Sequence, residues 1–237
     1  MAKKERIILK LSGAALHDTN SNAILASNKM LLLAKQIKTL TAKYEIAIVI
    51  GGGNIWRGNS ADLQLYREEQ AHYMGMLATI INSIAIKEVL IKCGLKAEVH
   101  SLLPCPKVAT NYNKSAVNKA LQQGKVIILA GGTGKPFFST DTGAAKEAVE
   151  LKAQWIIMAK DGVDGVYSDD PKKNKQAQRY DHLTFQAAIQ KKLKVMDLSA
   201  LEMCLKHNIK ILVFNIERPQ AIVKALQRQI PTTEIIK

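Results

Sequence analysis

Short aliphatic runs alternate with helix-like segments along the whole chain, and this alternation is the strongest constraint on the fold. The strand-like runs lie at residues 7–11, 45–50, about 97–102, 126–130, 155–159 and 209–214. Helical periodicity covers residues 27–43, about 63–92, 115–123, 142–151, about 184–192, about 198–207 and about 219–229. Strands that alternate with helices are joined by right-handed crossovers, which makes the sheet parallel and covers both its faces. The sequence therefore predicts an α/β fold, a three-layer α/β/α sandwich around an open, mostly parallel sheet.

Two glycine-rich loops follow predicted strands directly. Gly51-Gly-Gly-Asn54 follows the run at 45–50, and the segment 131–142 follows the run at 126–130. Ligands of parallel sheets bind at the carboxyl ends of the strands. Free backbone N–H groups beside a helix N-terminus bind anions well, and we expect Asp141 to cap the helix that follows the second loop. Both loops therefore predict a protein that handles phosphates.

The second loop is not a P-loop. That motif has a serine or threonine directly after its Gly-Lys pair, and a glycine five residues before the second glycine. Here Pro136 follows Gly134-Lys135, and Leu129 occupies the position of the first glycine. The loop must therefore contact phosphate in another way.

Three charged residues near the predicted strand ends are candidates for acting on phosphate. Lys10 lies in the first strand, where strand alternation turns it away from its leucine neighbours. A lysine there can neutralise a γ-phosphate in the transition state. Arg57 follows the first glycine loop and can grip phosphate with its guanidinium group. Asp141 can hold lysines in place. Two alternatives stay open, in which Asp141 serves only as a helix cap or Lys10 simply faces solvent.

Several further aspartates allow two readings. Asp164, Asp170 and Asp197 fit turns or helix caps as well as functional roles, and the segment 163–167 resembles a tight β-hairpin. The histidines are scattered without metal-ligand spacing, and no serine or cysteine lies in a nucleophile motif. We therefore expect no resident metal site and no covalent catalysis.

The composition is that of a globular protein. Of the 237 residues, 47% are hydrophobic and 23% are charged, and the chain divides only softly near residue 150. Its three cysteines lack metal spacing, which indicates reduced thiols. We find no apolar run of membrane-spanning length and no signal peptide. We therefore expect one domain, residues 1–237, in the cytoplasm and without membrane contact.

The net charge of +14 permits two interpretations. It can attract nucleotides or nucleic acid, or it can reflect lysines that merely solvate the surface. The lysines are spread along the chain, and no basic run is interleaved with aromatic residues. We favour the second interpretation and keep nucleic-acid binding as a secondary possibility.

Taken together, the motifs resemble those of the bacterial uridylate (UMP) kinases, within the amino-acid-kinase superfamily. The matching strings occur in family order between residues 7 and about 216. They are Lys10-Leu-Ser-Gly13, Ile50-Gly-Gly-Gly-Asn-Ile-Trp-Arg-Gly58, Met74-Gly-Met-Leu-Ala-Thr79, Gly132-Thr-Gly-Lys-Pro-Phe-Phe-Ser-Thr-Asp141, Val163-Asp-Gly-Val-Tyr167, Asp170-Pro171 and Val195-Met-Asp197. The resemblance implies transfer of the γ-phosphoryl group of Mg-ATP to UMP, with Mg²⁺ held mainly by the nucleotide phosphates.

The resemblance also assigns residues to the two substrates. Residues implied on the ATP side are Lys10, Leu11, Ser12, Gly13, Gly53, Arg57, Asp161, Tyr167 and Asp170. Those implied on the UMP side are Gly52, His72, Thr133, Gly134, Lys135, Pro136, Phe137, Phe138, Ser139 and Thr140. The implied catalytic residues are Lys10, Arg57, Asp141, Lys160 and Asp197. Residues 1–150 would then carry the UMP and phosphate loops, and residues 151–237 the ATP site.

Three features depart from the family pattern. His72 stands where an aspartate usually contacts the UMP ribose, and Lys135 replaces a common asparagine. The segment 14–24 lacks the glutamate and glycines with which the family's GTP-activator loop begins, so we do not expect GTP activation. UTP inhibition at the substrate site is still expected, as is a homohexamer formed through the helix near residues 63–92.

Two other functions stay open at the level of sequence. Another amino-acid kinase would phosphorylate a carboxylate or carbamate, but such acceptors do not require the string from Met74 to Thr79 or the pair Phe137-Phe138. A regulator that binds nucleotides without turnover is the second alternative. The presence of Lys10, Arg57 and Asp141 argues against it.

Overall fold

The computed structural model describes residues 4–18, 21, 23–56 and 65–237 of the chain. Its strands are β1 Glu5–Leu11, β2 Tyr44–Ile50, β3 Ala97–Ser101, β4 Thr110–Asn111, β5 Val126–Ala130, β6 Trp155–Lys160, β7 Val166–Tyr167, β8 Arg179–Tyr180, β9 His182–Thr184, β10 Lys210–Asn215 and β11 Thr233–Ile236. Its α-helices are α1 Ser27–Leu40, α2 Glu68–Lys92, α3 Lys114–Gln122, α4 Thr140–Glu150, α5 Phe185–Gln190, α6 Leu198–His207 and α7 Ala221–Leu226. A 3₁₀ turn covers Gly13–Leu16.

Nine strands form one sheet in the order β4-β3-β5-β2-β1-β6-β10-β11-β9. Neighbouring strands pair in parallel except β10 and β11, which are antiparallel. The predicted mostly parallel α/β fold is thus confirmed. Strand β1 lies in the middle, with β2 on one side and β6 on the other. The carboxyl ends of these central strands therefore meet at one edge of the sheet.

Alternating side chains of the central strands supply two apolar cores. Ile8 and Val49 pack with residues of α3, α4, α5 and α6 on one face of the sheet. Leu9 and Ile48 pack with residues of α1, α2 and α7 on the other. This distribution makes the three layers of the sandwich, because a buried parallel sheet needs helices on both faces.

The structure corrects several local predictions. Ser139 caps α4, since its side chain accepts a hydrogen bond from the Thr142 N–H at 3.0 Å, and Asp141 lies in the first turn instead. The tight hairpin predicted at 163–167 is absent from this described segment, because β7 pairs with β8, which follows only after the loop 168–178. The short edge strands β4 and β9, and β11 beside β9, were not predicted.

Helix α2 corrects the expectation that no apolar segment reaches membrane-spanning length. By length and composition alone its 25 residues pass that test. However, Ile80, Ile86 and Leu90 of α2 are buried in the core on one face of the sheet. Packing of this kind is typical of a core helix in a globular protein.

A buried carboxyl group lies on α4, away from the strand ends. Glu147 is only 2% exposed, and neither of its carboxyl oxygens has a hydrogen-bond partner among the described residues. Burial raises the pKa of Glu147 to about 7, a rise partly offset by the nearby Tyr112 hydroxyl and two lysines. The hydrogen bond of that hydroxyl is directed to Glu150 at 3.1 Å. Glu147 is therefore a source of pH-dependent stability.

We expect Glu147→Gln to stabilise the protein at about pH 8 and to have little effect at about pH 5. The folded-state pKa lies above the ordinary value of 4.5, so ionising the folded protein costs stability as pH rises between these values. A rise from 4.5 to about 7 corresponds to roughly 3 kcal/mol in the free energy of unfolding above neutral pH. Urea unfolding of both proteins at the two pH values measures the difference.

The matched control is Glu202→Gln, which neutralises an exposed glutamate on α6. Its effect on the free energy of unfolding should stay within about 0.5 kcal/mol at either pH. An equal effect of Glu147→Gln at both pH values would contradict the interpretation.

Candidate active site

Loops that follow three different elements meet at the carboxyl end of the central strands. The Gly51 N–H donates to the Leu11 carbonyl oxygen at 3.0 Å, which joins the ends of β1 and β2. A Cβ on Gly51 would lie 3.4 Å from the Gly13 nitrogen and 3.6 Å from the Thr140 hydroxyl oxygen. The turn after β1, the first glycine loop and the start of α4 are therefore in mutual contact.

Glycine is required at two positions of this junction. A Cβ on Gly13 would lie 2.2 Å from Asn54 Oδ1 and 2.9 Å from the Gly53 nitrogen. A Cβ on Gly52 would lie 2.7 Å from both the Ala78 Cβ and the Gly75 carbonyl oxygen of α2. Side chains at either position would force the loops apart, so the backbone amides could not stay this close together.

A buried ion pair crosses from β1 to α4. Lys10 Nζ lies 2.7 Å from Asp141 Oδ1, and the two side chains are 11% and 19% exposed. This oxygen receives no aligned hydrogen bond from the described residues, so charge attraction holds the contact. Lys10 thus points toward the α4 face of the sheet, as strand alternation predicts.

A second lysine lies close to this pair. Lys160 ends β6, and its ammonium group donates to the Val195 carbonyl oxygen at 2.6 Å. Burial lowers the pKa of Lys160, the charge of Lys10 lowers it further, and Asp141 opposes both effects. The structure therefore brings Lys10, Asp141 and Lys160 together, with two cations for one carboxylate. Such an arrangement favours the binding of an anion.

Asp197 links the beginnings of two helices. It caps α6 by accepting from the Ala200 N–H at 2.9 Å. Its other oxygen accepts from the hydroxyl groups of Ser139 and, at 3.0 Å, of Thr142. Burial opposes ionisation of Asp197, but these hydrogen bonds hold its pKa below the ordinary value. Asp197 thus fixes the position of α4, which carries Asp141.

The second glycine loop adopts backbone conformations that favour glycine. Gly131, Gly132 and Gly134 all have positive φ angles, and a Cβ on Gly134 would lie 2.8 Å from the Leu102 carbonyl oxygen. The Thr133 hydroxyl donates to the Lys135 carbonyl oxygen at 3.1 Å, which closes a tight turn. The loop therefore presents its backbone beside the start of α4.

Two aromatic residues stand exposed after this turn. Phe137, at φ 69°, and Phe138 are 60% and 53% exposed and follow Pro136. The ring of Phe137 meets that of His72, on α2, edge to face at 4.8 Å between centroids. The predicted UMP-side residues His72 and Phe137 are thus in direct contact.

The predicted ATP-side residues fall into two groups. Ser12 donates to Asp161 at 2.6 Å, which joins the turn after β1 to the loop after β6. Tyr167 and Asp170 instead line a cavity of about 450 Å³, whose other lining residues include Val163, Pro171 and Lys194. The Tyr167 hydroxyl donates to Asp164 at 2.7 Å, and this hydrogen bond fixes the Tyr167 side chain where it lines the cavity.

Arg57 lies outside the described residues. Within them, no three His, Cys, Asp or Glu side chains gather into a group that could hold a metal ion.

Some polar contacts at the site involve residues that the sequence analysis did not single out. Thr142 contacts Asp197, Glu217 accepts from the Gly162 N–H at 3.1 Å, and Asn82 and Thr79 contact the two glycine loops. Asn82 and Thr79 could have been identified from the sequence, because amide and hydroxyl residues are unusual in so apolar a helix. Nothing in the sequence distinguishes Thr142 or Glu217.

Comparison with known proteins gives consistent results. The model of the amino acid kinase family matches residues 5–215. A protein of Ureaplasma parvum named uridylate kinase is 43% identical over 235 residues, covering 99% of this chain and 100% of its own length. One of Mycoplasmoides gallisepticum with the same name is 41% identical over 233 residues, covering 98% and 99%.

Solved structures agree with these relatives. The crystal structure of a UMP kinase from Ureaplasma parvum superimposes with a TM-score of 0.95 at 42% identity, covering 99% of this chain and 100% of that one. That of a UMP kinase from Bacillus anthracis gives a TM-score of 0.91 at 34% identity, covering 98% and 96%. The chain belongs to the amino acid kinase family, and within it to the uridylate kinases.

Proposed function

We propose that this chain transfers the γ-phosphoryl group of ATP to UMP, giving ADP and UDP. The observation that carries the proposal is the buried Lys10–Asp141 pair beside Lys160, at the junction of the glycine loops. Two lysine ammonium groups around one carboxylate, with backbone amides beside them, suit a reaction in which two anionic substrates meet. The names of the relatives favour UMP as the acceptor.

In this transfer a phosphate oxygen of UMP attacks the γ-phosphorus of ATP. The new P–O bond forms while the bond to the bridging oxygen of ADP breaks, and its electron pair stays on ADP. The attacking phosphate is already ionised at neutral pH, so no general base is needed. The chain has to align the substrates and offset their charge.

The catalytic roles follow from the contacts. Lys10 neutralises charge on the transferred group, Asp141 orients Lys10, and Lys160 supplies a second cation. Asp197 acts by fixing α4, because its described contacts are with helix termini. Arg57, outside the described residues, is proposed to grip phosphate at the end of the first glycine loop.

The two substrates approach from opposite sides of this junction. On the ATP side we propose Ser12, Gly13, Gly53 and Asp161 near the phosphates, and the cavity lined by Tyr167 and Asp170 for adenosine. On the UMP side we propose Gly52, His72 and residues 133–140. A single domain then has two lobes: residues 1–150 carry the UMP-binding and phosphate loops, and residues 151–237 carry the ATP-binding part. Mg²⁺ bound to the nucleotide phosphates would supply further charge neutralisation.

The physiological setting follows from this reaction. We propose a cytoplasmic enzyme of pyrimidine nucleotide biosynthesis, inhibited by UTP at the acceptor site. GTP activation is not expected from the segment 14–24, and binding of nucleic acid through the basic surface stays secondary.

We also propose that the chain associates with copies of itself through α2, as a homohexamer. The outer side of α2 carries Leu77, Ile81 and Ile91, each between 46% and 48% exposed. Leu77 and Ile81 are one helical turn apart and therefore share a face. Exposed apolar side chains that line up on one helix favour burial against another protein surface.

The acceptor identity can be tested by ADP release with UMP, CMP, aspartate, acetylglutamate and carbamate. We expect a strong preference for UMP, because the loop from Thr133 to Thr140 and the rings of His72 and Phe137 can surround a nucleotide. Comparable rates with CMP would count against UMP as the specific acceptor. A preference for a carboxylate or carbamate would overturn the proposal in favour of another amino acid kinase.

Lys10→Ala should lower kcat at least about a hundredfold, because the Lys10 ammonium group no longer neutralises the negative charge on the transferred phosphoryl group. Steady-state kinetics with ATP and UMP measures the effect. The control is Lys35→Ala, which removes an exposed lysine on α1 and should leave kcat within about twofold. Equal activity of the Lys10 variant and wild type would remove Lys10 from the mechanism.

Replacing both Leu77 and Ile81 by lysine should convert the wild-type assembly into smaller species, because like charges would face each other across the contact. Light scattering after size-exclusion chromatography measures the mass. The control Leu198→Lys alters a leucine of similar exposure, 55%, on α6 at the opposite face of the sheet. A wild-type monomer, or equal masses for all three proteins, would contradict association through α2.

A further inference from the structure

The inner side of α2 carries an unusual row of buried polar residues. Thr79 is 6% exposed, and Asn82 and Ser83 are fully buried, although the helix is otherwise strongly apolar. Asn82 and Ser83 follow Thr79 by three and four positions, so each lies on the same side of the helix as Thr79. Burying a polar group costs free energy unless it is hydrogen-bonded, so these three side chains require hydrogen-bond partners.

Asn82 and Asn54 form a reciprocal amide pair. The Asn82 amide nitrogen donates to the Gly51 carbonyl oxygen and to Asn54 Oδ1, both at 2.7 Å. The Asn54 amide nitrogen donates to Asn82 Oδ1 and to the Ile24 carbonyl oxygen, both at 3.0 Å. Each amide nitrogen has two hydrogens, so all four donors of the pair are satisfied.

This pair anchors the first glycine loop from both ends. Gly51 is held by its carbonyl oxygen, and Asn54 by its side chain. Asn54 also packs so closely against Gly13 that a Cβ there would lie 2.2 Å from its Oδ1. A shift of Asn54 would therefore move the turn after β1 as well as the glycine loop.

The next turn of the same helix face reaches the second glycine loop. The Thr79 hydroxyl oxygen accepts from the Gly131 N–H at 2.9 Å. Gly52 packs against Ala78, whose small side chain allows this close approach. One face of α2 therefore fixes both glycine loops relative to each other.

We infer that Asn82 is a positioning residue for phosphoryl transfer, acting through Asn54 and Gly51 without touching substrate. The inference rests on the proposed kinase function, because it assigns the first glycine loop to the reacting phosphates. Removing the Asn82 amide leaves the Gly51 carbonyl oxygen, Asn54 Oδ1 and one of the two Asn54 amide hydrogens without these partners. The loop then shifts to regain hydrogen bonds, and the phosphates lose their alignment.

The effect should appear in turnover more than in nucleotide affinity. The adenosine cavity and the loop 133–140 do not contact Asn82 in the proposed assignment, so the binding of base and ribose is preserved. A displacement of about 1 Å at the reacting atoms can cost on the order of a hundredfold in rate. A purely structural role would instead lower the fraction of folded protein and leave the turnover of each folded site unchanged.

The test compares Asn82→Ala with wild type by steady-state kinetics, with the number of competent sites counted by calorimetric titration with ATP. We expect kcat per competent site to fall about tenfold or more, while KM for ATP and UMP changes less than about threefold. The matched control is Ser83→Ala. Ser83 is equally buried on the same helix, but its hydroxyl donates to Thr79 O within α2, at 2.7 Å. This control should keep kcat per site within about twofold.

A second variant keeps the test decisive if Asn82→Ala does not fold. Asn54→Ala removes the other half of the pair from a less buried position and should give the same loss of kcat per site. If both single variants fold, the double variant should be no worse than the poorer single one, since the two residues act as a unit. Unchanged kcat per site in a folded variant of either residue would overturn the inference. Wild-type protein without UMP phosphorylation would overturn the proposed function instead.

Discussion

The buried ion pair between Lys10 and Asp141 is the contact on which the rest of the site depends. Burying two charges is costly unless they attract each other at short range, and this pair does so at 2.7 Å. Lys160 adds a second ammonium group whose pKa is lowered chiefly by burial and then by Lys10. The site therefore places two ammonium groups around one buried carboxylate. Binding of a polyanion would relieve the repulsion between the lysines, so the electrostatics of this cluster favour phosphate binding.

The two helices that begin at this site are held in register by hydroxyl and carboxylate contacts. Ser139 caps α4 and donates to Asp197, which caps α6. The N-terminus of a helix carries a partial positive charge, so both helix starts add to the cationic character of the site. The Asp197 carboxylate accepts hydrogen bonds from Ser139, Thr142, Ser199 and the Ala200 N–H. Its contribution is therefore to orient α4 and, through α4, Asp141.

The sequence predicted the central sheet well because aliphatic runs that end at glycine leave little choice of structure. The run 126–130 matches β5 residue for residue, and strand alternation gave the direction of Lys10. Other features needed tertiary contacts. Ser139 and Asp141 both suit a helix cap, and only the hydrogen bond to Thr142 selects Ser139. The partner of β7 lies beyond a long loop, which no local turn signal identifies. The pairing of Asn54 with Asn82 depends on the packing of α2 against the first glycine loop.

Helix α2 is apolar on most sides, although the chain has a well-formed core on both faces of its sheet. A helix of that kind is usually buried all round, yet Leu77 and Ile81 on its outer side are about half exposed. Its inner side holds both glycine loops through Thr79 and Asn82. If copies of the chain associate through the outer side, the same helix joins the contact between copies to the two glycine loops. Because Ile81 and Asn82 are adjacent in the chain, a shift of α2 at such a contact would be transmitted directly to the first glycine loop.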